Sequence, residues 1–527
     1  MTRTLVHLLR DSVERAPEAE AVVLAGQRTS YGQLWRNVAA VASFLKSHGL
    51  QSGDRVAILL KNSAEYVAAY YGILAAGGIA VALNTLAKSR DLANWLNHSG
   101  ASWLFAEARH PELARTFSLM SSSGRAFPRL VSVGEPKEGE ELSFLPWQQV
   151  LAGHAGEEPD LSLLDDSRTA AIIYTSGTTG SPKGVTLSHG NLSSNVRSIQ
   201  QYLQLNAADR VLNVLPFYYS YGNSVLHTHL AVGGTLVLEN SLLYPHNVLT
   251  TLAQERATGF SGVPSTYAIL LNRIRLENYD LSSLRYMTQA GGAMAPALIE
   301  RLRKLVPHVR FFVMYGQTEA TARLAWLPPE MLDRKPGSIG IAIPGVRLEL
   351  RDEQGRPVPV GETGEIWATG ENIMQGYWRD PEKTRKVLQD GWLKTGDLAH
   401  CDEDGYFYID GRSADMIKTG ANRVSPKEIE EVILELEGVQ EVAVVGVPDE
   451  LLGQVIKAVV VPAPGAQIGL KQIRAHCWKQ LAMYKVPKLI EFVSELPKTA
   501  SGKVKRFLLQ EQHIDAGGIA REQQVSG

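Results

Sequence analysis

A glycine-rich loop that carries one lysine is the strongest chemical signal in the sequence. It reads YTSGTTGSPKGV over residues 174–185 and follows the apolar run AAII. Glycines allow backbone conformations that expose N–H groups, hydroxyl groups add donors, and the lysine adds a positive charge. Such donors form a cradle for an anion, and a polyphosphate fits it best. The predicted cradle comprises Thr175, Ser176, Gly177, Thr178, Thr179, Gly180 and Lys183.

The loop differs from the Walker A phosphate loop, which it resembles superficially. The Walker pattern requires Gly-Lys-Ser/Thr at the start of a helix. Here the lysine lies in Pro182-Lys183-Gly184, and the strand-like segment VTLS follows it. Taken alone, the loop could also be an ordinary solvated surface loop, so its interpretation depends on the other motifs of the chain.

Four further motifs follow in the order YGQTEA at 315–320, KTGD at 394–397, GRSADMIKTGANRVSPKEIE at 411–430 and PKTASGKVKR at 497–506. With the glycine loop, these motifs resemble those of the acyl-adenylate-forming superfamily. That superfamily includes acyl-CoA synthetases, aryl-CoA ligases, peptide-synthetase adenylation domains and firefly luciferase. The resemblance covers nearly the whole chain.

The resemblance implies an AMP-forming acid–thiol ligase of the acyl-CoA synthetase type. Such an enzyme forms an acyl-adenylate and pyrophosphate from ATP and a carboxylic acid, with Mg²⁺, and then transfers the acyl group to a thiol. CoA is the expected thiol. A stand-alone enzyme that loads a separate acyl or peptidyl carrier protein is the alternative. A third hypothesis is a nucleotide-binding regulator without catalytic activity.

The resemblance also assigns the catalytic residues. Thr318 matches the threonine that binds the α-phosphate, and Glu319 matches the glutamate that holds Mg²⁺. A carboxylate suits this hard cation. Lys503 matches the catalytic lysine of the C-terminal domain, whose ammonium group bridges the attacking carboxylate and the α-phosphate and lowers their repulsion.

The nucleotide-binding residues are assigned in the same way. Tyr315, beside Gly316, matches the aromatic residue that stacks on adenine. Asp397 matches the carboxylate that accepts both ribose hydroxyls, and Arg412 matches the ribose-binding arginine. The segment AGGA supplies backbone that lines the adenine and acyl pockets, which involves Gly291, Gly292 and Ala293.

By the same resemblance, eight apolar or small positions line the acyl pocket. We expect a fatty or aryl acid, because such a lining suits an apolar tail. Gly222 falls where amino-acid-activating domains place an aspartate, which argues against a free α-amino acid. Val225 and Leu226 could instead be ordinary core residues. The predicted lining is Tyr219, Tyr221, Gly222, Val225, Leu226, Val263, Gly291 and Met314.

Several positions depart from the family pattern. Ala414 occupies the hinge position, where the family usually carries aspartate or lysine. Ala421 stands where many CoA ligases carry glycine, and with Gly420 it is predicted to line the thiol tunnel. An added methyl group could narrow that tunnel. Conversely, the chain lacks the insertion after GYWRDPEKTRK that fatty-acyl-AMP ligases often carry, which favours CoA.

The elements that must position these residues alternate between helix and strand. RVAILL, WLFAE, RVLNVLP, GTLVLE and RFFVMYG read as strands, which indicates an α/β fold with mostly parallel sheets covered by helices. After Arg347 an alternating pattern predicts antiparallel strands of a small β-barrel-like subdomain. We predict an N-terminal AMP-binding domain over 1–410 and a small mobile α+β domain over 411–527.

Composition sets the remaining limits. A chain of 527 residues is too long to fold around a single hydrophobic core, so two or more domains are expected. The net charge of −2 gives no sign of a nucleic-acid partner. Two distant cysteines, Cys401 and Cys477, make neither a disulfide framework nor a metal site and fit a reducing compartment. Neither a signal peptide nor a membrane span is expected, and we predict a cytoplasmic protein.

Overall fold

The computed structural model describes residues 3–121, 127–136, 142–152, 158–175, 182–412, 415–419, 422–449, 452–498 and 504–515. Within them the strands are β1 (Glu20–Leu24), β2 (Gln27–Ser30), β3 (Arg55–Leu59), β4 (Ile79–Ala82), β5 (Trp103–Glu107), β6 (Arg129–Val133), β7 (Phe144–Pro146), β8 (Thr169–Thr175), β9 (Lys183–Ser188), β10 (Arg210–Asn213), β11 (Thr235–Leu238), β12 (Gly259–Gly262), β13 (Tyr286–Gln289), β14 (Arg310–Tyr315), β15 (Ala325–Leu327), β16 (Ile341–Ala342), β17 (Val346–Arg351), β18 (Gly364–Gly370), β19 (Gly376–Tyr377), β20 (Leu388–Gln389), β21 (Trp392–Cys401), β22 (Phe407–Arg412), β23 (Ile417–Thr419), β24 (Asn422–Val424), β25 (Val439–Asp449), β26 (Gly453–Pro462) and β27 (Leu489–Phe492).

The α-helices of the same ranges connect these strands and cover the sheets. They are α1 (Leu5–Arg15), α2 (Tyr31–Ser47), α3 (Ala64–Ala75), α4 (Ser89–Ser99), α5 (Leu113–Ser121), α6 (Trp147–Ala152), α7 (His189–Leu203), α8 (Ser220–Val232), α9 (Pro245–Gln254), α10 (Pro264–Arg273), α11 (Pro296–Leu305), α12 (Pro381–Val387), α13 (Pro426–Leu434), α14 (Leu470–Gln480) and α15 (Arg506–Asp515).

One large sheet has the strand order β16-β15-β14-β13-β12-β10-β11-β1-β2. Its pairings from β1 through β11, β10, β12 and β13 to β14 are parallel, and its outer pairings are antiparallel. The predicted strands RVLNVLP, GTLVLE and RFFVMYG are confirmed here as β10, β11 and β14. A strand that is covered on both faces must be apolar throughout, which explains these continuous hydrophobic runs.

A second large sheet has the order β19-β9-β8-β4-β3-β5-β6-β7. It is parallel from β8 to β7, and β9 joins β8 as an antiparallel hairpin. The predicted strands RVAILL and WLFAE are confirmed as β3 and β5. One hydrophobic core contains side chains from both sheets and from intervening helices, among them Val56, Leu236, Val38, Tyr71 and Leu226.

Helix α2 shows how local signals set an element. Ser30 precedes it, and its hydroxyl accepts a hydrogen bond from the Gln33 backbone N–H at 3.2 Å. Leu34, Val38 and Leu45 are buried on one face. The helix ends at Ser47, two residues before Gly49, which has φ +89°, a conformation that glycine adopts without strain.

The chain divides into two compact units. One comprises residues 1–348 and 368–394, and the other comprises residues 349–367 and 395–527. The division falls within strands of a sheet with the order β17-β18-β21-β20, in which β22 pairs with β21. The closure of these strands into a barrel and the domain boundary at 410/411 stay predictions.

The C-terminal part of the second unit has its own small sheet and core. Its strand order is β24-β23-β26-β25, β27 pairs with β26, and Ile429, Val444, Val460 and Ile473 are buried together. Helix α13 begins directly after Ser425. The Ser425 hydroxyl donates to the Asp410 carbonyl instead of capping α13, a long-range bond that the sequence pattern does not reveal. Of the helices in the described ranges, none combines the length and apolar character needed to traverse a bilayer.

Candidate active site

Three neighbouring strand ends bring residues assigned to adenine, the α-phosphate, Mg²⁺ and the acyl group to one edge of a sheet. Strands β12, β13 and β14 are parallel neighbours, so their carboxyl ends lie at the same edge. Val263 follows β12, Gly291 to Ala293 follow β13, and Gly316 to Glu319 follow β14. In open α/β sheets, this edge is where ligands bind.

The ends of the glycine loop are held by a β-hairpin. Thr175, the last residue of β8, is the register partner of Lys183, the first residue of β9. Behind them the Tyr174 hydroxyl bonds to Nδ1 of His98 at 2.9 Å, and its ring stacks on Trp95 with centroids 5.6 Å apart. The other predicted cradle residues, Ser176 to Gly180, lie outside the described residues. The loop is therefore a connection between two anchored strand ends.

The segment after β13 turns sharply and is exposed. Gly291 has φ +87°, and the Gln289 side-chain amide donates to the Gly292 carbonyl at 2.6 Å. Gly291, Gly292 and Ala293 are exposed. Their backbone groups are therefore accessible to a ligand at the sheet edge, as the assignment to adenine and acyl contacts requires.

The segment after β14 approaches another backbone closely. A Cβ atom on Gly316 would lie 2.1 Å from the Ala322 carbonyl oxygen, so only glycine fits there. A single 3₁₀ turn, Thr318–Ala320, follows, and the Thr318 hydroxyl oxygen lies 3.3 Å from that of Ser220. Tyr315 and Thr318 are both half-buried, which leaves part of each side chain accessible.

Glu319 has a specific partner that the sequence analysis missed. The Tyr377 hydroxyl donates to Oε1 of Glu319 at 2.9 Å. Burial, followed by the Glu319 charge, raises the pKa of Tyr377, so the hydroxyl keeps its proton. Tyr377 lies on β19, which pairs with β9 directly after the glycine loop. The only sequence signal was an aromatic hydroxyl in the quoted segment GYWRDPEKTRK.

The Glu319 carboxylate is suited to bind a magnesium ion that arrives with a nucleotide. Mg²⁺ is commonly bound by one or two carboxylates together with substrate phosphates. Glu319 supplies such a carboxylate, and its second oxygen, Oε2, is not used by Tyr377. Among the described residues there is no group of three or more His, Cys, Asp or Glu that could hold a metal ion by itself.

Replacing Tyr377 with phenylalanine is expected to raise the Mg²⁺ concentration for half-maximal pyrophosphate exchange roughly fivefold, because one hydrogen bond worth about 1 kcal/mol no longer orients Glu319. The rate at saturating Mg²⁺ should change little. Binding of Mn²⁺ with ATP, followed by electron paramagnetic resonance, should weaken in parallel. Tyr279→Phe, whose hydroxyl contacts the exposed His246, serves as the control. Unchanged metal dependence in Tyr377→Phe would show that other contacts orient Glu319.

Helix α8 carries most of the predicted acyl-pocket residues. Tyr219 is its N-cap, and the Tyr221 hydroxyl donates to the Thr288 carbonyl at 2.9 Å. Val225, Leu226 and Met314 are buried. Leu226 is fully buried in the shared hydrophobic core, consistent with the core interpretation of that residue. The assignment of these residues to an acyl pocket stays a prediction.

Gly222 has a structural role that the pocket assignment does not explain. A Cβ atom there would lie 2.2 Å from the Pro216 carbonyl oxygen and 2.8 Å from that of Leu215. A side chain at this position would therefore be directed at neighbouring backbone. Glycine is required here for close packing of α8 against the segment before it, whichever acid is bound.

In the second unit, Asp397 and Arg412 are adjacent. They are register partners on β21 and β22, and Nε of Arg412 lies 2.9 Å from Oδ1 of Asp397. Asp397 is buried, and its backbone N–H is bonded to the Thr395 hydroxyl at 3.2 Å. The structure thus brings together the two residues assigned to the ribose, on consecutive antiparallel strands.

The remaining assigned residues, Ala414, Gly420, Ala421 and Lys503, lie outside the described residues. The strands that flank positions 420 and 421, β23 and β24, pair in an antiparallel manner. Lys498 and Val504, on either side of the segment with Lys503, form an isolated antiparallel bridge. The roles of these four residues stay predictions.

Residues 9–378 match the AMP-binding enzyme family, and residues 428–503 match the AMP-binding enzyme C-terminal domain. The chain is 34% identical to a long-chain-fatty-acid–CoA ligase of Bacillus subtilis over 97% of this chain and 95% of that protein. It is 38% identical to a feruloyl-CoA synthase of an Amycolatopsis species over 93% of this chain and 95% of that protein.

Solved structures show the same similarity. An anthranilate CoA ligase in complex with anthranoyl-AMP matches with a TM-score of 0.89 at 30% identity, covering 98% of each chain. An ATP-bound MatB from Rhodopseudomonas palustris matches with a TM-score of 0.88 at 31% identity, covering 98% of this chain and 100% of that chain. The predicted α/β fold with a small C-terminal domain is confirmed.

Proposed function

This chain belongs to the AMP-binding enzyme family, and we propose on that basis that it activates a carboxylic acid with ATP and transfers the acyl group to CoA. In the first step a carboxylate oxygen forms a bond to the α-phosphorus, and the bond to the bridging oxygen breaks as pyrophosphate leaves. In the second, the sulfur of CoA forms a bond to the acyl carbon, AMP leaves, and the thiol proton passes to solvent.

One observation carries the proposal: Gly291 to Ala293 and Thr318 with Glu319 follow neighbouring parallel strands at one sheet edge. A backbone segment for the nucleoside therefore lies beside a hydroxyl and a carboxylate suited to phosphate and its metal ion. The relatives described above, a fatty-acid CoA ligase and a feruloyl-CoA synthase, support this reaction.

Within the first unit, the residues have separate tasks. Donors of the glycine loop, with Lys183, would bind the β- and γ-phosphates and stabilise the growing charge on pyrophosphate. The Thr318 hydroxyl would bind an α-phosphate oxygen, and Tyr315 would stack on adenine. Bound Mg²⁺, held by Glu319 and the phosphates, would neutralise phosphate charge.

Three residues of the second unit, Asp397, Arg412 and Lys503, complete the assignment. Asp397 would accept hydrogen bonds from both ribose hydroxyls, with Arg412 beside it. Lys503 would stabilise the approach of the acid's carboxylate to the α-phosphate. We also propose a cytoplasmic location, since free Cys401 and Cys477 fit a reducing compartment.

Pyrophosphate exchange across a panel of carboxylic acids tests the function. We expect exchange with fatty or aryl acids and little or none with free α-amino acids, because Gly222 replaces the aspartate of amino-acid-activating domains. The relatives named as a long-chain-fatty-acid–CoA ligase and a feruloyl-CoA synthase support this class. A clear preference for any free α-amino acid would contradict the expected substrate class.

Mass spectrometry identifies the thiol. Positive acids are incubated with ATP and either CoA or a purified carrier protein, and we expect the acyl-CoA mass. If the carrier protein is acylated and no acyl-CoA forms, the acceptor is a carrier protein and not CoA. Absence of exchange with every acid would favour a catalytically inactive nucleotide-binding protein.

A further inference from the structure

A buried arginine lies among the residues assigned to the acyl pocket, four positions beyond Glu319. Arg323 is 3% exposed. Its Nε donates to the Met314 sulfur at 3.3 Å, and its Nη1 donates to the Ala322 carbonyl at 3.2 Å. Its guanidinium carbon lies 4.2 Å from the centroid of the Tyr221 ring. Met314 and Tyr221 therefore both contact its cationic group.

The charge of Arg323 has no acidic partner in the part of the chain that the structure describes. No carboxylate oxygen of those residues lies within 4.0 Å of its guanidinium nitrogens. By contrast Arg285, which is more exposed, pairs with Asp209 at 2.7 Å. A thioether sulfur is a weak acceptor, and an aromatic face does not neutralise a charge. Burying a cation without a counter-charge is unfavourable, so its retention calls for a reason.

The neighbouring polar side chains do not supply that reason. The Tyr221 hydroxyl is engaged with the Thr288 carbonyl at 2.9 Å, and the Tyr202 hydroxyl contacts the Met314 sulfur at 3.0 Å and also interacts with the Arg323 guanidinium. Both are neutral groups. A hydrogen bond from the planar guanidinium to an oxygen acceptor would therefore be favourable, and one to an anionic oxygen would be the most favourable.

We propose that Arg323 recognises a second oxygen-bearing group of the carboxylic acid, remote from the carboxyl group that is activated. A carboxylate increases the affinity most, because it neutralises the buried charge, and a hydroxyl increases it less. This inference rests on the proposed function and refines its substrate class: the acid has an apolar body with a polar distal end. An acid with a wholly apolar tail leaves the charge of Arg323 unpaired.

Pyrophosphate exchange with matched acid pairs tests the proposal. Hexanoate is compared with adipate, and benzoate with 4-hydroxybenzoate, at equal concentration and in the full-length protein. We expect kcat/KM to favour the oxygen-bearing member of at least one pair roughly ten- to hundredfold, the range for a hydrogen bond to a charged group. Arg323→Met should abolish or invert the preference, and Arg323→Lys should retain part of it.

Arg310→Met is the matched control, because Arg310 lies over the Phe312 ring at the opposite end of β14. It should keep the preference of the unmodified protein. If Arg323→Met does not fold, the same selectivity is measured in the unmodified protein. The increase in its unfolding temperature with adipate is then compared with the increase with hexanoate.

The outcomes separate the two hypotheses. Exchange with plain acids and an unchanged preference in Arg323→Met would overturn the role of Arg323 and leave the proposed function intact. Equal thermal stabilisation by both members of each pair would overturn it as well. Absence of exchange with every acid contradicts the proposed function, whereas selective stabilisation by adipate would still support recognition by Arg323.

Discussion

Replacing Lys503 with alanine is expected to lower the rate of acyl-adenylate formation by a factor of roughly 10²–10³, the typical effect of removing one transition-state donor. The same variant, given preformed acyl-adenylate and CoA, should transfer the acyl group almost normally. The asymmetry follows if the C-terminal domain moves between the half-reactions, so that Lys503 acts in the first only. Pyrophosphate exchange and single-turnover thioester formation measure the two rates separately.

Lys498→Ala provides the control for Lys503. Nζ of Lys498 lies 2.5 Å from a Glu441 carboxylate oxygen, and both side chains are about one-third exposed. Such a partly exposed pair contributes little to stability, and we expect both half-reactions to remain normal. Equal losses in both half-reactions of Lys503→Ala would indicate a structural role, or a domain that does not alternate. Ala414 sharpens the test, because the hinge lacks the family's usual charged residue.

Replacing Gly222 with alanine is expected to destabilise the first unit by at least about 1–3 kcal/mol, the usual cost of overpacking. The added Cβ would lie 2.2 Å from the Pro216 carbonyl oxygen, which belongs to backbone and cannot rotate away as a side chain could. Thermal unfolding followed by circular dichroism should show a lower midpoint. Activity measured well below that midpoint should fall for every acid, because the start of α8 is displaced.

Gly469→Ala is the matched control for Gly222. A Cβ atom at Gly469 would meet no other heavy atom within 4 Å, and the residue has φ −119°. Its effect should stay within about 0.5 kcal/mol, as for most surface substitutions. If Gly222→Ala unfolds at the same temperature as the unmodified protein, the segment at Pro216 yields readily and the close approach does not limit the choice of residue.

Local signals in the sequence were sufficient for the family, the reaction class and the positions of the five quoted strands. The five motifs combine glycine, hydroxyl and charged residues whose chemistry and order are specific, and the family they predict is confirmed. The cap at Ser30 and the apolar run of β14 are equally local, because a few neighbouring residues decide them. The predicted roles of Lys503 and Ala421 come from such motifs alone.

The sequence by itself thus determined which groups are available for chemistry, whereas only the tertiary structure decided which of them meet. Tyr377 binds Glu319 across 58 positions of the chain, and no spacing rule links them. Gly222 is constrained by the Pro216 carbonyl, although its motif indicated only a substrate preference. Arg323, which no motif singled out, is 3% exposed, and among the described residues no carboxylate pairs with it. The physical reason is common to all three: burial and contact depend on how distant strands and helices pack, and periodicity reports only the face that each element buries.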